Sequence, residues 1–146
     1  MKNKNKSGFS LLEILIAIVI ITILGTVVGI GLINQPQKAN VAKAKMEINA
    51  IKTAVILYAA ENRAIPTQRQ GLEALVMKTS IPPIPENFPP DGYLDTRELP
   101  KDPWGRDYAY LVPGRKGESF EIICYGADGE DGGDGFNADI SSSAMK

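Results

Sequence analysis

Ser7-Gly8-Phe9-Ser10-Leu11-Leu12-Glu13 opens a stretch that meets no further charge until Lys38, and its reading decides how the chain is built. From Ile14 to Ile33 the sequence runs 20 residues without a charge, enough for one helix across a bilayer. An ionisable side chain at the head of such a segment is costly and marks function by default, so Glu13 implies a partner. A secretory signal peptide would account for the basic start at Lys2, Lys4 and Lys6. Its apolar core, however, is about 7–15 residues long and ends in a small-residue cleavage site, which Gly25, Thr26, Gly29 and Gly31 do not form. An uncleaved anchor accounts for the length but not for Glu13. Lysines ahead of the span stay cytoplasmic and put the rest of the chain on the far side.

At 146 residues, one small globular domain accompanies this segment. Sixteen basic and 17 acidic residues give a net charge of -1, so nothing points to nucleic acid. Histidine is absent, which removes the commonest general base and transition-metal ligand together. Cys124 is the only cysteine; no intramolecular disulfide can form, and a lone thiol beside Phe120, Ile122 and Ile123 reads as a small buried hydrophobe. With no phosphate-cradling glycine loop and no nucleophile in a recognisable setting, an enzyme is not expected. Carboxylate-only hydrolysis is the one enzymatic reading left.

Gly8, Phe9 and Glu13, with Ser10, Leu11 and Leu12 between them, resemble the class III signal of type IV pilins and their relatives: a short basic leader, then Gly, Phe, and Glu four residues further on. The resemblance implies that a prepilin peptidase cuts between Gly8 and Phe9 on the cytoplasmic side and methylates the new Phe9 amine. The hydrophobic helix then survives in the mature protein. In a filament, Glu13 of one subunit would pair with the Phe9 amine of a neighbour, because a buried carboxylate is strongly unfavourable unless paired. The segments expected are a leader at 1–8, a transmembrane and filament-core helix at 9–33, an amphipathic extension at 34–63 and a globular domain at 64–146.

Beyond the apolar run, Val41, Ala44, Ile48, Ile51, Val55 and Tyr58 recur at spacings of three and four and share one helical face. Lys43, Lys45, Glu47, Asn49 and Lys52 lie mostly off it. The helix should stop near Asn62, since Pro66 follows. As one helix, Phe9 to Asn62 would extend roughly 80 Å. Gly25, Gly29, Gly31 and Pro36 weaken its middle; where related filament proteins carry a kinking proline, this chain has Ile30.

A short helix is expected over Gln70–Met77. Five prolines between Ile81 and Pro90 then exclude regular helix or a central strand. Asp102-Pro103-Trp104-Gly105 suits a type I turn. Two strands are expected at Tyr108–Val112 and Phe120–Tyr125, joined by a Gly-containing hairpin loop at 113–117. The fold class is α+β: a long N-terminal helix packed on a small antiparallel sheet. Pro66-Thr67 with Gln70-Gly71-Leu72-Glu73-Ala74-Leu75, then Leu99-Pro100-Lys101-Asp102-Pro103-Trp104-Gly105, then Gly126-Ala127-Asp128-Gly129, are similar in order and content to the major pseudopilins of type II secretion systems.

Residues 125–140 are rich in closely spaced carboxylates and glycines, the chemistry of a hard, oxygen-seeking ion. Without histidine, calcium is favoured over zinc or copper. Gly132 at the fifth loop position, counting Asp128 as the first, rules out an EF-hand, and a solvated acidic turn is the alternative. Gly132 to Ile140 nearly matches the calcium β-roll nonapeptide, but one copy cannot build that fold. The pseudopilin resemblance implies a structural calcium held by Asp128 and Asp139, with the Tyr125 carbonyl as a third ligand and Asp131, Asp134 and Asn137 as further candidates. The Gly-Asn-Trp familiar after the last aspartate is replaced by Ser141-Ser142-Ser143.

The resemblance implies the major subunit of a secretion pseudopilus, polymerising through its N-terminal helix to drive export of folded proteins across an outer membrane. Its partners would be further copies, minor pseudopilins, the inner-membrane assembly platform and the prepilin peptidase. It would cross the inner membrane once, with the globular domain periplasmic. An adhesion, motility or competence pilin is the alternative.

Overall fold

The computed structural model describes residues 9–33 and 35–145, with backbone alone for 25–33. The chain divides into two units, one ending at Pro36 and one running from Gln37 to Lys146.

The first unit carries helix α1 (Leu11–Ile33). Ser10 caps its start: the Glu13 N–H donates to Ser10 Oγ at 3.2 Å, and the Ile14 N–H donates to the Ser10 carbonyl. Ser-x-x-Glu ahead of an apolar run is a helix-start signature, and Glu13 sits in the first turn, where the helix dipole favours negative charge. From Leu11 to Leu24, Leu, Ile and Val surround the axis of α1 and are exposed along it, Leu11 by 86%. A helix apolar on all sides is one that will be buried by something else. Among the described residues no helix is long and apolar enough to cross a membrane; residues 11–24 are shorter than the ~20 a span needs, and residues 25–33, which complete the expected span, are described by backbone alone. The expected single helix from Phe9 to Asn62 turns on Asn34, outside the described residues.

The second unit is built on helix α2 (Gln35–Asn62). Ala44, Ile48, Ile51, Ala54, Val55 and Tyr58 are its buried face, with Val41 partly buried beside them. Each fully buried Ile or Val contributes roughly 2 kcal/mol, so this face anchors the domain. Leu72, Ala74 and Leu75 pack on it from a 3-10 turn (Leu72–Leu75), which is shorter than the helix expected over Gln70–Met77. Gly71, at φ +64, starts it outside helical geometry. A segment this short cannot offset the cost of nucleating an α-helix by itself.

The sheet has three antiparallel strands in the order β1 (Ala109–Leu111), β2 (Glu121–Cys124) and β3 (Ile140–Ser141). Tyr110 faces Ile122 across the first pair, and Cys124 faces Ile140 across the second. All of β2 is buried. Alternation puts Ile122 and Cys124 in the helix-packed core and turns Glu121 and Ile123 to the opposite face. The 113–117 connector closes through Gly114 N–H to the Glu118 carbonyl at 2.8 Å. Strand β3 was not expected: two residues cannot show a period, and its place is supplied by the open edge of β2.

The Pro-rich segment is tied down by Gln70, whose side-chain amide donates to the Ile81 and Pro83 carbonyls at 2.7 Å each. At the Asp102 turn, Asp102 Oδ1 accepts from the Trp104 and Arg106 N–H groups, and the Gly105 N–H returns to the Asp102 carbonyl. Cys124 lies buried beneath this turn, and burial pushes its thiol up to about 11, so it is an inert packing group.

Candidate functional site

Two regions carry the chemistry the sequence singles out, and each belongs to its own unit. In the first, Gly8 lies outside the described residues, so the expected cleavage point has no geometry here. Phe9 and Glu13 are described: Phe9 is 79% exposed, and Glu13 is in the first turn of α1.

The second region is the loop between β2 and β3. It folds back on itself through backbone bonds: Gly129 N–H to the Tyr125 carbonyl at 2.9 Å, Ala127 N–H to Phe136 at 2.9 Å and Asp139 N–H to Gly132 at 3.0 Å. Gly126 permits this closure. Its φ is +56, and a Cβ there would come within 3.0 Å of the Asn137 and Ala138 backbone. Arg106 reaches in from the Asp102 turn and donates to the Gly126 and Ala127 carbonyls.

The expected ligands are not gathered as a cluster. Asp128, Asp131, Asp134 and Asn137 are exposed, and among the described residues no three acidic side chains stand close enough to hold a metal. Asp128 Oδ1 instead accepts from the Glu130 N–H at 3.1 Å. The Tyr125 carbonyl takes one hydrogen bond from Gly129, which leaves a lone pair. Asp139 differs. Its Oδ2 lies 3.3 Å from Arg115 Nη1, while its Oδ1 is buried with no hydrogen-bond partner. An orphaned buried carboxylate oxygen costs about 1–3 kcal/mol or more and calls for a cation or water. The donor chemistry therefore fits a hard cation at Asp139, although the carboxylates are not assembled around one.

Arg115, from the 113–117 hairpin connector, also holds the loop. Its Nη1 lies 2.6 Å from Asp131 Oδ1, and its Nε lies 3.2 Å from Glu121 Oε2. Its backbone N–H also donates to Glu121 at 2.9 Å. Glu121 is 2% exposed and accepts further bonds from Ser141 Oγ at 2.5 Å and Ser143 Oγ at 2.9 Å. Burial alone would raise its carboxyl, but the bonds from Ser141, Arg115 and Ser143 outweigh burial and hold it at about 2. Ser142 completes the closure, accepting from the Ile122 N–H and donating its own N–H to the Ile122 carbonyl. The serine run Ser141-Ser142-Ser143 thus fastens the C-terminus to β2. A sequence signal was present: one acid within the apolar run Phe120–Tyr125 must find partners if the strand is buried.

A Gly-Phe-x-x-x-Glu start on an all-apolar helix, ahead of a domain that packs a second helix on a small antiparallel sheet, defines a pilin-like subunit. The prokaryotic N-terminal methylation motif matches residues 3–29. The chain belongs to the type II secretion system protein G family, which matches residues 31–143. It is 44% identical over 142 residues to the type II secretion system core protein G of Pseudomonas aeruginosa, covering 97% of this chain and 98% of that one. It is 43% identical to the core protein G of Vibrio cholerae, covering 97% and 94%. Among solved structures it is similar to the major pseudopilin of the type 2 secretion system of enterohaemorrhagic Escherichia coli, with a TM-score of 0.65, 35% identity and coverage of 78% and 95%.

Proposed function

We infer that this chain is the major structural subunit of a type II secretion pseudopilus and polymerises through its N-terminal helix to drive export of folded proteins across the outer membrane. The observation that carries the reading is that the likeness to core protein G extends over 97% of the chain, the methylation motif and α1 included. The role is structural. A side chain surface like that of α1 has to be covered, by lipid before assembly and by neighbouring copies afterwards. The single inner-membrane span, periplasmic domain, prepilin-peptidase cleavage at Gly8–Phe9, minor pseudopilins and assembly platform belong to the same proposal.

The test is deletion of the gene in its host, with secreted and periplasmic proteins compared and surface filaments imaged. Exoproteins trapped in the periplasm and released by the wild-type copy support the secretion role. Normal secretion with loss of surface fibres makes it an adhesion, motility or competence pilin instead. Complementation with Glu13→Ala should restore no secretion while the protein still accumulates in the membrane. Filaments and N-methylation both intact in that strain would refute the pairing of Glu13 with the Phe9 amine.

Calcium in the 125–140 loop is part of the proposal, with Asp139 as the central ligand, Asp128 and the Tyr125 carbonyl beside it, and Asp131, Asp134 and Asn137 as further candidates. Its support is the unpartnered buried oxygen of Asp139 on a hard-donor loop. A ligand that binds only the folded state adds about 2.7 kcal/mol at a hundredfold excess over its Kd, so chelation should lower the melting temperature of the detergent-solubilised protein by several degrees. An unchanged melting temperature in excess chelator would remove calcium from the reading.

A further inference from the structure

We propose that Arg115 is the loop's resident counter-cation, occupying the Asp131 and Asp139 carboxylates in the metal-free protein and thereby setting the affinity of the loop for calcium. This rests on the calcium reading above and concerns this chain's own residues.

The geometry supplies the competition. Arg115 Nη1 is shared between Asp131 Oδ1 at 2.6 Å and Asp139 Oδ2 at 3.3 Å, and Asp139 is the residue with an unpartnered buried oxygen. Any cation drawn to Asp139 meets a guanidinium already on that carboxylate, and two positive charges at such range repel. The guanidinium also has somewhere to remain. Nε and Nη2 lie 3.2 and 3.4 Å from the two Glu121 oxygens, so Arg115 can give up the loop without being stranded. Glu121, Asp131 and Asp139 set three carboxylates against this one guanidinium, leaving an excess of two negative charges around it. The fork geometry matters: a guanidinium has several donors fixed in a plane and can hold Glu121 and the loop at once, where an ammonium acts as a point charge.

Arg115 therefore acts in both directions. It stabilises the loop when no metal is bound and weakens metal binding when metal is present. Removing it should separate the two effects, lowering the metal-free melting temperature while tightening calcium.

The experiment is calorimetric titration of calcium chloride into the full-length protein in detergent for wild type, Arg115→Gln and Arg115→Lys, with melting temperatures in chelator recorded for each. Arg115→Gln is expected to tighten the calcium Kd by on the order of tenfold and to melt lower than wild type in chelator. Arg115→Lys is expected to fall between the two. A wild type that takes up no calcium while Arg115→Gln does would also support the proposal, with Arg115 as a complete substitute for metal. If all three bind with equal Kd, or the variants bind more weakly, the calcium reading stands and the role of Arg115 is overturned. If none binds, both fall. Should Arg115→Gln not fold, Arg115→Lys decides alone: a Kd equal to or weaker than wild type overturns the proposal.

Discussion

Glu121→Ala is expected to lower the melting temperature of the protein by roughly 10 °C. Glu121 is almost fully buried and accepts from Arg115, Ser141 and Ser143 at once, so its loss leaves a guanidinium and two hydroxyls facing a void. Removing one partner of a buried ion pair typically costs about 3–5 kcal/mol. Arg115 is 38% exposed and can recover some hydration, which places the cost near the lower limit, about 3 kcal/mol. At about 2–4 °C per kcal/mol for a chain of this size, the shift is easily read by differential scanning calorimetry. A melting temperature within a degree or two of wild type would mean that the Arg115–Glu121–serine contacts do not hold the C-terminus.

The same residue gives an acid limb with a defined sign. Its carboxyl is held at about 2 in the fold against 4.5 for an ordinary glutamate. A lowered carboxylate contributes stability that is complete above the unfolded value and disappears as pH falls through the folded one. Between about pH 4.5 and 2 the wild type should lose stability that Glu121→Ala never had, so their melting curves converge in acid. Parallel curves down to pH 2 would contradict the assignment.

Gly126→Ala is the second substitution with a large expected effect. The left-handed φ of +56 costs an L-residue roughly 1–2 kcal/mol. The added Cβ would lie within 3.0 Å of Asn137 and Ala138 backbone atoms, which cannot yield as a side chain tip can, so overpacking adds about 1–3 kcal/mol. The total, roughly 2–5 kcal/mol, should appear as a lower unfolding midpoint in urea. Gly132→Ala is the control: its φ is +98 but nothing lies within 4 Å of the added Cβ, leaving strain without collision. Equal effects at the two positions would show that the close approach of Gly126 to Asn137 is not what closes the loop.

How far the sequence could be read differs between elements for physical reasons. The buried face of α2 was legible residue by residue because a helix repeats its exposure every 3.6 residues, and Ala44, Ile48, Ile51, Val55 and Tyr58 sample that period four times over. The hairpin was legible because glycines and a proline interrupt two apolar runs. The extent of the helix after Gln70 was not, since Gly71 and the Gln70 bonds to Ile81 and Pro83 act at the scale of one turn. At the acidic loop, composition named the right segment but not its arrangement: Asp139 alone of the named carboxylates is drawn inward, and its ionic partner comes from the hairpin 24 positions away.

By itself the sequence determined the α+β class, the all-apolar helix with Glu13 at its head, the core face of α2 and the segment where hard donors concentrate. These follow from local period, charge and turn chemistry, which each residue carries wherever the chain goes. Only the tertiary structure decided that Ile140-Ser141 would become a third strand, that three serines would fasten the C-terminus, and that Arg115 would join Glu121, Asp131 and Asp139. Those outcomes depend on the open edge of β2 and on the burial of Glu121, where an unpaired charge is too costly to leave alone.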